Sequence, residues 1–122
     1  MAVIRTVTIE PGRNTGWHYH PAMVQAVLLT GVLTRVLEDG TVEVTRPGQF
    51  LLELPEQRHI GYNLGEEPLV ILANYHERPG APLSVDAEPT EVGAAAEQGV
   101  LGHGPAERNC NCTGAVRRAA AG

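Results

Sequence analysis

The chain contains no lysine, and that absence removes several chemistries at once. Without lysine there is no Schiff-base catalysis, no covalent pyridoxal phosphate and no phosphate-loop lysine. Serine occurs once, as Ser84 in Pro82-Leu83-Ser84-Val85, which is not the Gly-x-Ser-x-Gly turn that exposes a serine nucleophile. The only cysteines, Cys110 and Cys112, make no disulfide framework. No stretch approaches the roughly eighteen apolar residues of a membrane span. Met1-Ala2-Val3-Ile4-Arg5 lacks the apolar run of a secretory signal, so a cytoplasmic location without membrane association is expected. The nine cations, all arginines, are scattered, and net charge is -5, which argues against nucleic acid as a partner. What remains for acid–base or metal chemistry is five histidines and twelve glutamates.

Length and composition divide the chain. With 122 residues and 43% hydrophobic residues it makes one domain with a real core. Residues 1–83 hold every aromatic and every isoleucine, whereas residues 84–122 have one leucine, Leu101, and alanine runs at 94–96 and 119–121. The spacing therefore predicts a domain over 1–83 and a low-complexity C-terminal tail over 84–122. That tail packs on the domain or on a partner subunit, or is partly mobile. Thr90 to Leu101 reads as a short helix capped by Thr90 and weakened by Gly93 and Gly99.

The first 83 residues read as all-β. Val3–Ile9 is β-branched and ends at Pro11-Gly12; Met23–Thr30 is an apolar run closed by Gly31. Val32–Leu37 leads into Asp39-Gly40, a hairpin turn, and Val42–Thr45 alternates before Pro47-Gly48. Phe50–Leu54, the residues around His59 and Leu69–Tyr75 complete seven or eight short strands, the pattern of a sandwich or small barrel.

Trp17-His18-Tyr19-His20 places two imidazoles two residues apart, which on a strand points both to one face, where they can converge on an ion. His59 follows on a different hairpin. Here the sequence resembles the cupin superfamily, specifically its small single-domain double-stranded β-helix members. Their first motif runs glycine, five residues, His-x-His, three or four residues, glutamate, about six residues, glycine. This chain offers Gly12, His18-Tyr19-His20, Gln25 and Gly31. The second motif appears as Gly48, then Pro55-Glu56-Gln57-Arg58-His59, then Asn63, one residue short and without its Pro-x-Gly glycine, as in a tighter hairpin. The resemblance spans roughly residues 3–83.

It implies a small jelly-roll barrel and one divalent transition metal per chain, held by His18, His20 and His59. Iron is the first expectation, with nickel, manganese, zinc or copper as alternatives. Gln25, at the glutamate position, either ligates the metal or stands behind its ligands. Four neutral donors would leave the ion its full +2 charge, making it more Lewis acidic, less tightly held and less suited to Fe(III). Of Tyr75 and His76, one should face the barrel and move protons; otherwise they are an exposed strand-end pair. Glu53, between Leu52 and Leu54, reads as outward-facing; turned inward, it would be a candidate base. Trp17 and Tyr62 read as packing residues.

The function that follows is a non-haem, Fe(II)-type dioxygenase acting on a small organic molecule. The alternatives are a non-redox isomerase, cyclase or lyase, and a non-catalytic ligand-binding module. Exposed edge strands suggest a homodimer, with Val3–Ile9 pairing across subunits. In the tail, Cys110-Asn111-Cys112 is half a zinc site at most, His103 reads as loop, and Arg117-Arg118 is too short for a nucleic-acid patch.

Overall fold

In a computed structural model the described residues are 2–102 and the short segment Ala120–Ala121. Cys110, Cys112, His103 and the Arg117-Arg118 pair lie outside them. The described strands are Ala2–Ile9 (β1), His18–Tyr19 (β2), Val24–Thr30 (β3), Leu33–Leu37 (β4), Val42–Thr45 (β5), Phe50–Glu53 (β6), His59–Tyr62 (β7), Leu69–His76 (β8), Val85–Asp86 (β9) and Ala120–Ala121 (β10). One helix, Glu91–Leu101 (α1), accompanies them. Two antiparallel sheets form, in the orders β10-β1-β8-β3-β6 and β5-β4-β7-β2-β9. The all-β reading is thus the observed class, as a double-stranded β-helix barrel.

Local chemistry sets the turns. Asp39 accepts the Thr41 backbone N–H at 2.9 Å, and Gly40 takes φ 89°, so Asp-Gly makes the β4–β5 hairpin. Gly31, at φ 78°, lies so close to β8 that a Cβ there would be 2.6 Å from that of Leu69. Between the sheets, Ile9, Leu28, Leu33, Leu51 and Leu69 form the main core. Each such residue contributes about 1.5–3 kcal/mol by leaving water.

A second core lies on the outer face of the β5-β4-β7-β2-β9 sheet. Trp17, Val36, Ile60 and Tyr62 pack there against Ala96, Val100 and Leu101 of α1. Thr90 caps the helix by accepting the Gly93 N–H at 2.9 Å, and its hydroxyl donates to the Glu38 carbonyl at 2.6 Å. Glu97 fastens the other end, accepting from Trp17 Nε1 at 3.0 Å and from the Tyr62 hydroxyl at 2.5 Å. Upstream of the helix, β9 pairs with β2 at His18↔Asp86 and Tyr19↔Val85. The β1 edge offered by the sequence to a second copy is taken at Val7 and Thr8 by Ala121 and Ala120 of the same chain.

Candidate metal centre

Strand alternation decides what enters the barrel. Trp17 turns out toward α1, so His18 turns in, and His20 follows two residues later. β2 pairs with β7 at His18↔His59, which puts the third imidazole beside the first. The three ring centroids are 4.3–5.1 Å apart, and all three side chains are buried. Their free ligand atoms lie within 4.8 Å of one another.

Each imidazole is oriented by a backbone carbonyl. His18 Nδ1 is 2.9 Å from Gly16 O, His20 Nδ1 is 2.9 Å from Leu83 O, and His59 Nδ1 is 3.0 Å from Gln57 O. A carbonyl only accepts, so each Nδ1 carries a proton, and whenever the ring is neutral its Nε2 holds the lone pair. Metal-binding histidines are commonly oriented this way. Nε2 of His20 and of His59 is buried without a hydrogen-bond partner. Such groups are costly unless something fills the space between them. The residues fit a divalent ion, which His18, His20 and His59 are positioned to hold.

Gln25 does not belong to this set. β3 is phased by its core residues Val24, Ala26 and Leu28, so Gln25 faces outward, exposed. Its Oε1 lies 3.2 Å from Nε2 of His76, which shares the outer face, so neither residue faces the three imidazoles. Val24 points inward instead, and three intervening residues after His20 lead to Val24 just as four lead to Gln25. Tyr75 does face the cavity, its ring centroid 5.5 Å from that of His20.

Glu53 corrects the outward expectation. It pairs with Val24 across the strands and therefore shares its inward face. Leu52 and Leu54, the apolar neighbours that suggested the opposite phase, are the exposed ones, each at 47%. Glu53 Oε1 is 3.0 Å from His20 Nε2 and Oε2 is 3.1 Å from His59 Nε2. Sequence reasoning also missed Arg35, on a strand buried along its whole length. Its Nη1 donates to Glu53 Oε2 at 3.3 Å, and its Nη2 to Glu43. An arginine in a strand with no other charge, Leu33-Thr34-Arg35-Val36-Leu37, was the available signal, since buried cations need partners.

The electrostatics hold an anionic carboxylate beside the imidazoles and separate the proton affinities of His18 and His20. Burial, helped by the charge of His59, lowers the His18 pKa to about 4, so that ring is neutral at pH 7. Burial opposes charge on His20 too, but the adjacent Glu53 carboxylate outweighs it and raises the pKa. For Glu53, burial favours the neutral acid, yet His59 and His20 hold the carboxyl well below its ordinary range. Burial, then the Glu53 charge, raises the Tyr75 phenol against an opposing pull from Arg5.

The cavity is small, about 60 Å³, and its remaining walls are chiefly apolar, among them Val24, Ala26, Leu33, Leu51 and Ile71. A cupin domain is matched over residues 5–75. The chain belongs to the cupin family. A cupin-like protein from Thermotoga maritima superposes with a TM-score of 0.65 at 21% identity, covering 74% of this cupin and 68% of that chain. A double-stranded β-helix protein from Klebsiella pneumoniae subsp. pneumoniae gives 0.61 at 24% identity, over 71% and 75%. In sequence, the (R)-mandelonitrile lyase of Granulicella tundricola is 35% identical over 54 residues, 44% of this cupin and 41% of the lyase. This cupin thus matches less than half the length of that curated relative. Among the described residues, no helix is long and apolar enough to cross a membrane.

Proposed function

We propose that this cupin is a metal-dependent enzyme that breaks a bond beside an oxygen of a small organic molecule, by proton transfer and without a change of oxidation state. The reading rests on one observation: three buried imidazoles, each fixed through Nδ1 to a carbonyl, present Nε2 to one small apolar cavity. A divalent ion held there would supply Lewis acidity, polarising a carbonyl or making a hydroxyl acidic. The chain supplies the rest. Tyr75, a phenol protonated at neutral pH that burial moves further from ionising, holds a proton on the cavity side of β8. The cavity, about 60 Å³ with chiefly apolar walls, admits only a few non-hydrogen atoms. The resemblance to a lyase favours this class over the dioxygenase reading, whose premise of four neutral donors lost Gln25.

The Fe(II) dioxygenase remains the second reading, because three protein imidazoles leave open positions on an ion. The test is turnover of small cyanohydrins and hydroxy acids by metal-loaded protein, with an oxygen electrode in the same cell. Lyase chemistry predicts product release without oxygen uptake, lost in His59→Ala and reduced about 10²- to 10⁴-fold in kcat in Tyr75→Phe. Oxygen consumed in step with product would overturn it in favour of the dioxygenase. Full turnover by Tyr75→Phe would remove the phenol from the mechanism.

A further inference from the structure

We propose that Glu53 is the fourth protein ligand of the metal centre, delivered from β6 in place of the carboxylate that the family motif puts on β3. The proposal rests on the three-histidine centre described above. Val24 holds the inward position on β3, 2% exposed, and cannot ligate. Its cross-strand partner is Glu53, so the carboxylate has moved one strand sideways while keeping the same face and level of the barrel.

The distances support ligation over simple ion pairing. Donor atoms at right angles on one ion, each about 2.1 Å from it, stand about 3.0 Å apart. Glu53 Oε1 and His20 Nε2 are 3.0 Å apart, and Oε2 and His59 Nε2 are 3.1 Å apart. Those lengths would also suit hydrogen bonds, but neither ring nitrogen has a hydrogen-bond partner, so the N–H alignment is missing. One carboxylate oxygen faces the His20 nitrogen and the other the His59 nitrogen, so the carboxylate edge lies along two of the three presented ring nitrogens. Arg35, 2% exposed, reaches Oε2 through Nη1 at 3.3 Å and holds the carboxylate there as a positioning residue. The charge balance changes as well. Three neutral imidazoles and one carboxylate leave a divalent ion with +1, where Gln25 would have left +2.

The test uses the full chain loaded with Co(II), comparing wild type, Glu53→Gln, and the double variant Val24→Glu with Glu53→Val, which returns the carboxylate to β3. The readouts are Co(II) affinity by chelator competition and the visible absorption spectrum of bound Co(II). Ligation predicts at least about tenfold weaker binding and an altered spectrum in Glu53→Gln. It also predicts recovery of both in the double variant. A double variant that does not fold leaves the Glu53→Gln spectrum to decide. An unchanged spectrum in Glu53→Gln, with or without weaker binding, overturns the proposal and leaves the three-histidine centre standing. Wild type that takes up no Co(II) overturns the centre, and the proposal with it.

Discussion

Two glycines in α1 differ in one respect that makes a sharp experiment. A Cβ at Gly99 would meet nothing within 4 Å, whereas one at Gly93 would lie 2.7 Å from Trp17 Cη2, 2.9 Å from Thr90 Oγ1 and 3.3 Å from the Leu37 carbonyl. Alanine at either site gains helix propensity, up to about 1 kcal/mol. At Gly99 that gain should stand alone. At Gly93 the methyl must push its neighbours by roughly 0.7–1 Å to reach ordinary contact. The neighbours resist: Trp17 is tied to Glu97, and Thr90 is both cap and donor to Glu38. Overpacking costs about 1–3 kcal/mol, and a lost cap about 1 more. Gly99→Ala should therefore stabilise by about 0.5–1 kcal/mol and Gly93→Ala destabilise by about 1–3 kcal/mol. Urea unfolding followed by fluorescence checks both, because Trp17, the only tryptophan, lies beneath the helix. If Gly93→Ala gains as much stability as Gly99→Ala, the close packing of α1 on Trp17 is wrong.

Three other outcomes are expected. In metal-free protein His18 takes its proton near pH 4 when folded but near 6.5 when unfolded, so the unfolded chain binds more protons in between and stability falls as pH drops. That gap is worth roughly 3 kcal/mol; His20, raised, acts in the opposite sense, so wild type should be compared with His18→Gln, and parallel pH profiles would refute the assignment. Asn63→Ala should cost about 2–4 kcal/mol in denaturant titration, because the buried amide donates to Ile9 O and Glu67 O and accepts from the Gly65 N–H. Divalent metal at a hundredfold excess over Kd should stabilise wild type by about 2.7 kcal/mol in thermal melts and leave His59→Ala unmoved.

The fold was legible because its signals are local. β-branched runs, Asp39-Gly40 and Pro47-Gly48 mark strands and turns whatever the tertiary context. His18 and His20 were legible because a spacing of two survives any placement of the strand. The fourth donor was not, because its identity depends on which face of β3 and β6 turns inward. Both strands carry apolar residues on both faces: Val27 opposes Val24 and Ala26, and Leu52 opposes Leu51. Only packing breaks that tie. The shortened second motif left its own mark at Glu56, a non-glycine residue at φ 62° whose N–H donates to the His20 carbonyl at 2.8 Å. The sequence showed a tighter hairpin there but not that it would grip the His20 backbone. Arg35 was passed over because a lone arginine within a strand is usually solvated.

Chain order bears on how the centre is completed. His18, His20 and His59 are all synthesised before Leu83, yet the Leu83 carbonyl fixes the proton on His20 Nδ1, and β9, later still, pairs with the β2 strand that carries His18 and starts the His-x-His pair. Of the three imidazoles only His20 waits for that segment, since Gly16 and Gln57, which orient His18 and His59, precede them in the chain. The segment after the barrel is therefore part of the centre's framework: a chain ended before Leu83 would keep all three imidazoles and lose the contact that orients one of them.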